Sequence, residues 1–192
     1  MIVRRTAGLH RQFLASTRGV AAIEFAIILP ILVTLCLASV DAGRAIAIYT
    51  KVRAATYALD AITNQYSTIQ ATDMSAILGA TSVVLAPYSS SPVVVVISQI
   101  KVSSATKATV NWSATLNGTA LTQTSSTTVP TNFASCGSYP CYLIYGQVSY
   151  TYTPLFTYFI KSAITLSDSL YVTPRGTECI MYPPQSITSS PC

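Results

Sequence analysis

"RGVAAIEFAIILPILVTLCLASV", Arg18 to Val40, is apolar from Val20 onward except for Glu24, Thr34 and Ser39. About twenty such residues, wound as a helix, cross the hydrocarbon of a bilayer. Pro30 sits mid-run, where a membrane helix accommodates it with a kink. Glu24 is the anomaly. An ionisable side chain inside a span is expensive, so its presence points first to a function.

Upstream, residues 1–19 are short and basic, with Arg4, Arg5, Arg11 and Arg18 supplying four of the chain's eleven basic side chains. The apolar run is too long, and lacks the small-residue cleavage site, for a secretory signal. A basic flank ahead of a span instead places that flank in the cytoplasm. The remaining basic residues are scattered, without a stripe interleaved with aromatics. The net charge of +5 is therefore no nucleic-acid footprint.

Downstream, apolar residues recur at Ile48, Val52, Ala55, Leu59, Ile62 and Tyr66 in steps of three and four, which is one face of a helix. One helix is expected from Val20 to Asn64, roughly 65 Å long at 1.5 Å per residue. A short helix near Asp73–Leu78 follows, and then the period changes to two. "SPVVVVISQIKVS" is rich in β-branched residues, and "KATVNWSATL" alternates, with Ala108, Val110, Trp112, Ala114 and Leu116 on one face. "CYLIYGQVSYTYTP" groups Ile144, Val148, Tyr150 and Tyr152, while "AITLSDSLYVTP" groups Ile164, Leu166, Leu170 and Val172. Segment 117–135 reads as a turn and loop with at most a weak strand. Four strands of this kind make an antiparallel sheet with one buried face. The amphipathic half of the long helix is its natural cover. The expected fold is α+β, pilin-like: a long N-terminal helix, transmembrane then amphipathic, packed on an antiparallel sheet. Its parts are a leader over 1–19, a span over 20–40, an amphipathic continuation over 41–66 and a β-rich domain over 67–192.

Only 9% of the chain is charged, against roughly a quarter in ordinary soluble domains. Ser and Thr supply the polar surface, which suits an envelope protein. Five cysteines divide by position. Cys36 lies in the span, Cys136 and Cys141 bracket "CGSYPC", and Cys179 and Cys192 flank a Pro-rich tail. Nearest-neighbour pairing, Cys136–Cys141 and Cys179–Cys192, closes the smallest loops and implies an oxidising compartment. Zinc is disfavoured, because the thiols have neither a nearby histidine nor paired CxxC spacing.

Catalysis has little to stand on. The single histidine, His10, precedes the span, and no phosphate-binding glycine loop is present. Asp60 on the helix and Asp168 in a strand are candidates to meet as an acid–base pair, although the ordinary expectation is two solvated surface acids. No enzyme, cofactor or metal is expected. Of twelve tyrosines, five fall in "SYPCYLIYGQVSYTYTP", where sheet packing explains them better than an adhesive face.

A basic leader, Gly, four small or apolar residues, Glu, an aromatic and a long apolar helix resemble a type IV prepilin processing site. The longer string "RGVAAIEFAIILPILVTLCLASVDAGRAI", marked by Gly19, Ala22, Glu24, Phe25, Pro30, Gly43 and Arg44, resembles the TadE-like family of the tight-adherence (Flp) pilus systems. The tail "VSYTYTPLF…SDSLYVTPRG" is similar to the end of members of that group. The resemblance implies a single-pass inner-membrane protein with a periplasmic C-terminal domain, needed for pilus assembly and surface adhesion. It implies a prepilin peptidase cutting between Gly19 and Val20, with Glu24 and Phe25 serving subunit assembly. Other pilin-like subunits, the inner-membrane assembly platform and membrane lipid are the implied partners. Phe25, where the major subunit usually carries tyrosine, favours a minor pilin or pseudopilin. The competing reading is an uncleaved single-span protein with a β-rich ligand-binding or adhesive domain.

Overall fold

A computed structural model describes residues 19–134, 136–156 and 161–182. The chain divides into two compact units, Met1–Gly43 and Arg44–Cys192. Helix α1, Val20–Thr63, supplies the described helical part of the first and enters the second. In the first unit its large apolar side chains stand outward: Ile23, Ile27 and Leu35 are each about two-thirds exposed. Pro30 lies inside the helix without ending it. Among the described residues this is the one helix long and apolar enough to cross a membrane.

In the second unit α1 changes character as its spacing requires. Ile48, Val52, Ala55 and Leu59 are buried, joined by Thr56, Asp60 and Thr63. The hydroxyls of Thr56 and Thr63 donate to the carbonyls of Val52 and Leu59 one turn back, which lets polar side chains lie in an apolar seam. Helix α2, Ala71–Leu85, is longer than the short helix expected from sequence. The Asp73 carboxylate accepts from the Gln70 amide at its start, and Pro87 stands just past its end. Met74, Ile77, Leu78 and Leu85 join the core.

The sheet comprises β1 (Val93–Ser104), β2 (Lys107–Leu116), β3 (Ser126–Thr127), β4 (Cys141–Tyr152) and β5 (Ile164–Val172). Its order is β3-β2-β1-β4-β5, with antiparallel pairs throughout. The one-turn helix α3, Thr131–Ala134, precedes β4. The α+β architecture expected from sequence is present, with the two-residue β3 as the weak strand of the loop.

One face assignment needs correction. Ala108, Trp112 and Ala114 alternate in sequence, yet Trp112 and Ala114 join the main core while Ala108 joins a second cluster with Ile100, Val102, Val129 and Leu143. The cause is a bulge. Gln99 pairs with Trp112 but Ile100 pairs with Val110, so two residues of β2 advance against one of β1 and the facing inverts. In β4 the expected grouping holds: Ile144, Val148, Tyr150 and Tyr152 all reach the main core. In β5, Leu166 and Val172 pack on it only partly, and Ile164 is exposed.

Residues after β5 complete the core. Ile180 is fully buried, and the backbone of Met181 exchanges hydrogen bonds with Ser67 and Ile69. The Trp112 indole N–H donates to the Ile180 carbonyl at 2.9 Å and contacts the Gln99 amide oxygen.

Candidate functional site

The segment singled out by sequence lies at the start of α1. Gly19 immediately precedes the first α-helical residue, Val20. Nothing lies within 4 Å of where a Gly19 side chain would project. Val20 and Phe25 are 51% and 58% exposed, and Glu24 is exposed among them. On a helix, residues four apart are neighbours on one face, so the Glu24 carboxylate stands one turn from the Val20 nitrogen. Chemically this is one carboxyl group on an outward apolar surface, open among the described residues.

The cysteine expectations divide. Cys136 and Cys141 are bridged, with their Cα atoms 6.3 Å apart, and both pack against the second apolar cluster. Cys179 is disulfide-bonded, while its expected partner, Cys192, lies outside the described residues. Cys36 is a free thiol, exposed on the apolar half of α1.

The tyrosines of β4 behave as sheet residues. Tyr142, Tyr150 and Tyr152 are buried, and Tyr145 stacks against Tyr171 of β5 with ring centroids 4.8 Å apart. Beside them a cleft of about 240 Å³ is lined by Arg44, Tyr88, Tyr150, Tyr152 and Leu155. It holds no paired acid and base. Among the described residues no group of three metal-ligating side chains is found.

The two carboxylates named as an unlikely pair are where sequence reasoning fell short. Asp60 is not a solvated surface acid: it is 1% exposed at the α1–sheet junction. Burial, and secondarily the charge of Asp168, push its carboxyl up to about 8. Gly146 of β4 lies directly beneath it, where a side chain would overlap the carboxyl group. The signal was present in the spacing. Val52, Thr56 and Asp60 fall in steps of four on the buried flank of α1. The Trp112–Gln99–Ile180 cluster was missed for a different reason, since its members come from three distant stretches that no local pattern links.

A helix with a membrane-length apolar half and a second half packed on an antiparallel sheet defines the class: a single-span protein with an α+β domain. Residues 19–58 match the family model described as TadE-like protein, the same stretch singled out by its Gly, Glu and apolar pattern. The match begins at Gly19 and ends within α1. No curated protein and no solved structure matches the chain.

Proposed function

We propose that this protein is a minor pilin or pseudopilin of a tight-adherence (Flp) pilus, cut by a prepilin peptidase between Gly19 and Val20 and needed for pilus assembly and surface adhesion. The observation that carries the reading is the coincidence of two starts with one residue: α1 begins at Val20, the TadE-like match begins at Gly19, and Glu24 follows one turn into the helix. Cutting there creates an ammonium group at Val20. Glu24 then serves as the acceptor for such a terminus from a neighbouring subunit, because opposite charges attract strongly where water is scarce. The Cys136–Cys141 bridge supports a C-terminal domain on the oxidising side of the inner membrane. Its partners are the peptidase, other pilin-like subunits, the assembly platform and the surrounding lipid.

Intact-mass measurement of the protein from native membranes tests the processing step. A mature amino terminus at Val20 is the expected result, and a chain retaining residues 1–19 would leave the uncleaved single-span reading in its place. The assembly step is tested by Glu24→Gln. This variant should insert and be cut, since a neutral amide is cheaper in lipid, yet fail to co-purify with pilus subunits. The loss expected from stranding a desolvated charge is several kcal/mol. Full piliation by Glu24→Gln would reduce Glu24 to a headgroup anchor. Gly19→Val should block cutting, because the β-branched side chain stiffens the backbone the peptidase must extend.

A further inference from the structure

Asp60 is buried, and neither of its carboxyl oxygens has a hydrogen-bond partner. A charged carboxylate in that condition is far costlier than a neutral acid. The groups around it can be named element by element. On α1, Arg53 is fully exposed, bonded to the Tyr57 side chain and influenced by Asp168 and Tyr49. On β4, Tyr145 feels the charge of Asp60, and Gly146 presents bare backbone. On β5, Asp168 faces the same side of the sheet as its pairing partner Val148, and Tyr171 stacks on Tyr145. Beyond β5, the Arg175 amide donates to the Asn64 carbonyl one turn further along the chain, with Glu178 following. No cation figures among the groups that set the state of Asp60; desolvation comes first and Asp168 second. A buried carboxyl so placed, with a second carboxyl acting on it, resists ionising.

The mechanical setting is equally specific. β5 is an edge strand, hydrogen-bonded on one side to β4. Its core-facing residues Leu166 and Val172 are only half-buried, whereas Val93, Val95 and Ile97 of β1 are completely enclosed. Repulsion between Asp60 and Asp168 therefore acts on the least anchored long strand of the sheet. We propose that Asp60 and Asp168 are a repelling pair set between α1 and β5, so that the edge strand holds while Asp60 carries the proton and loosens as that proton is lost. The proposal is independent of processing at Gly19.

The test is amide hydrogen exchange of the full chain in detergent, corrected for intrinsic rates, from about pH 5 to about pH 9. Protection of β5 relative to β1 should fall by up to about tenfold per pH unit and level off near pH 8. In Asp60→Asn the relative protection of β5 should not vary with pH. In Asp168→Asn the fall should level off at lower pH, since the repelling charge is gone. Infrared difference spectroscopy of the wild-type chain, with Asp60→Asn as the assignment control, should show a protonated Asp60 carboxyl at about pH 6. The loss of that carboxyl band as the wild-type chain is taken from about pH 6 to about pH 9 is read without either variant, so the proposal stays falsifiable if one misfolds. Uniform protection of β5 across the range would overturn the proposal, as would an Asp60 carboxylate already ionised at pH 6. Recovery of β5 protection at high pH on adding calcium chloride would also overturn it, by making the pair a metal-cation site.

Discussion

At Gly146 the sheet comes so close to α1 that an added methyl group would lie 2.7 Å from Cγ and 2.8 Å from Oδ2 of Asp60. The enclosed Asp60 carboxyl or the strand beneath it would have to shift, and overpacking of that kind costs about 1–3 kcal/mol. Gly146→Ala should therefore destabilise the domain. Asp60→Ala beside it should recover part of the loss, so a double-mutant cycle should show coupling of opposite sign to simple additivity. Independent effects of the two substitutions would mean the close approach is not maintained in solution. Trp112, the chain's single tryptophan, is buried and supplies both the probe and a second test. Trp112→Phe keeps an aromatic ring but strands the Ile180 carbonyl and the Gln99 oxygen it serves, at a cost of about 1–3 kcal/mol, measurable by denaturant titration followed by circular dichroism.

Elements were legible in the sequence where one physical period ran unbroken. The helix expected from Val20 to Asn64, and found over Val20–Thr63, followed from a membrane-length apolar run and then from steps of three and four, and the strands from alternation. The bulge between Gln99 and Ile100 did not, because alternation in β2 continues across it and only pairing with β1 reveals the change of face. Nor did the burial of Asp60, since composition marks any aspartate as surface until its seam position is weighed. At the start of α1 the motif was readable because its information is local, Gly19, Val20, Glu24 and Phe25 all lying within Gly19–Phe25. The α3–β4 connection offers a test at the scale of elements. The Cys136–Cys141 bridge closes a five-residue separation, for which a chain-entropy estimate gives about 2 kcal/mol. Cys136→Ser with Cys141→Ser should lose roughly that much and raise exchange locally around Val129 and Leu143 of the second cluster. Collapse of the whole sheet in that variant would contradict the local role.

Across the whole molecule, the ionisation of Asp60 makes stability depend on pH in a definite direction. Its folded value is raised from 3.8 to about 8, so the folded state holds the proton more tightly than the unfolded state. Its contribution is fully present below about pH 4, declines as pH rises and is lost above about pH 8. The denaturation midpoint read from Trp112 fluorescence should fall through that window. Asp60→Asn should be the more stable form at the alkaline end and should flatten the profile. An unchanged slope in the variant would assign the dependence to other groups.

The tail that caps the core also sets an order of events. α1 is synthesised before any strand, whereas Ile180 follows β5 and every element before it, yet lies fully enclosed. Contacts joining Ser67 and Ile69 to Met181 span most of the domain's length, and such distant pairings form slowly. A chain emerging from the ribosome therefore stays unfinished until Ile180 and Met181 arrive, with the indole of Trp112 still awaiting the carbonyl it bonds. Completion becomes a checkpoint in time. A chain stopped after Val172 should show red-shifted Trp112 emission and rapid proteolysis, while the full chain resists.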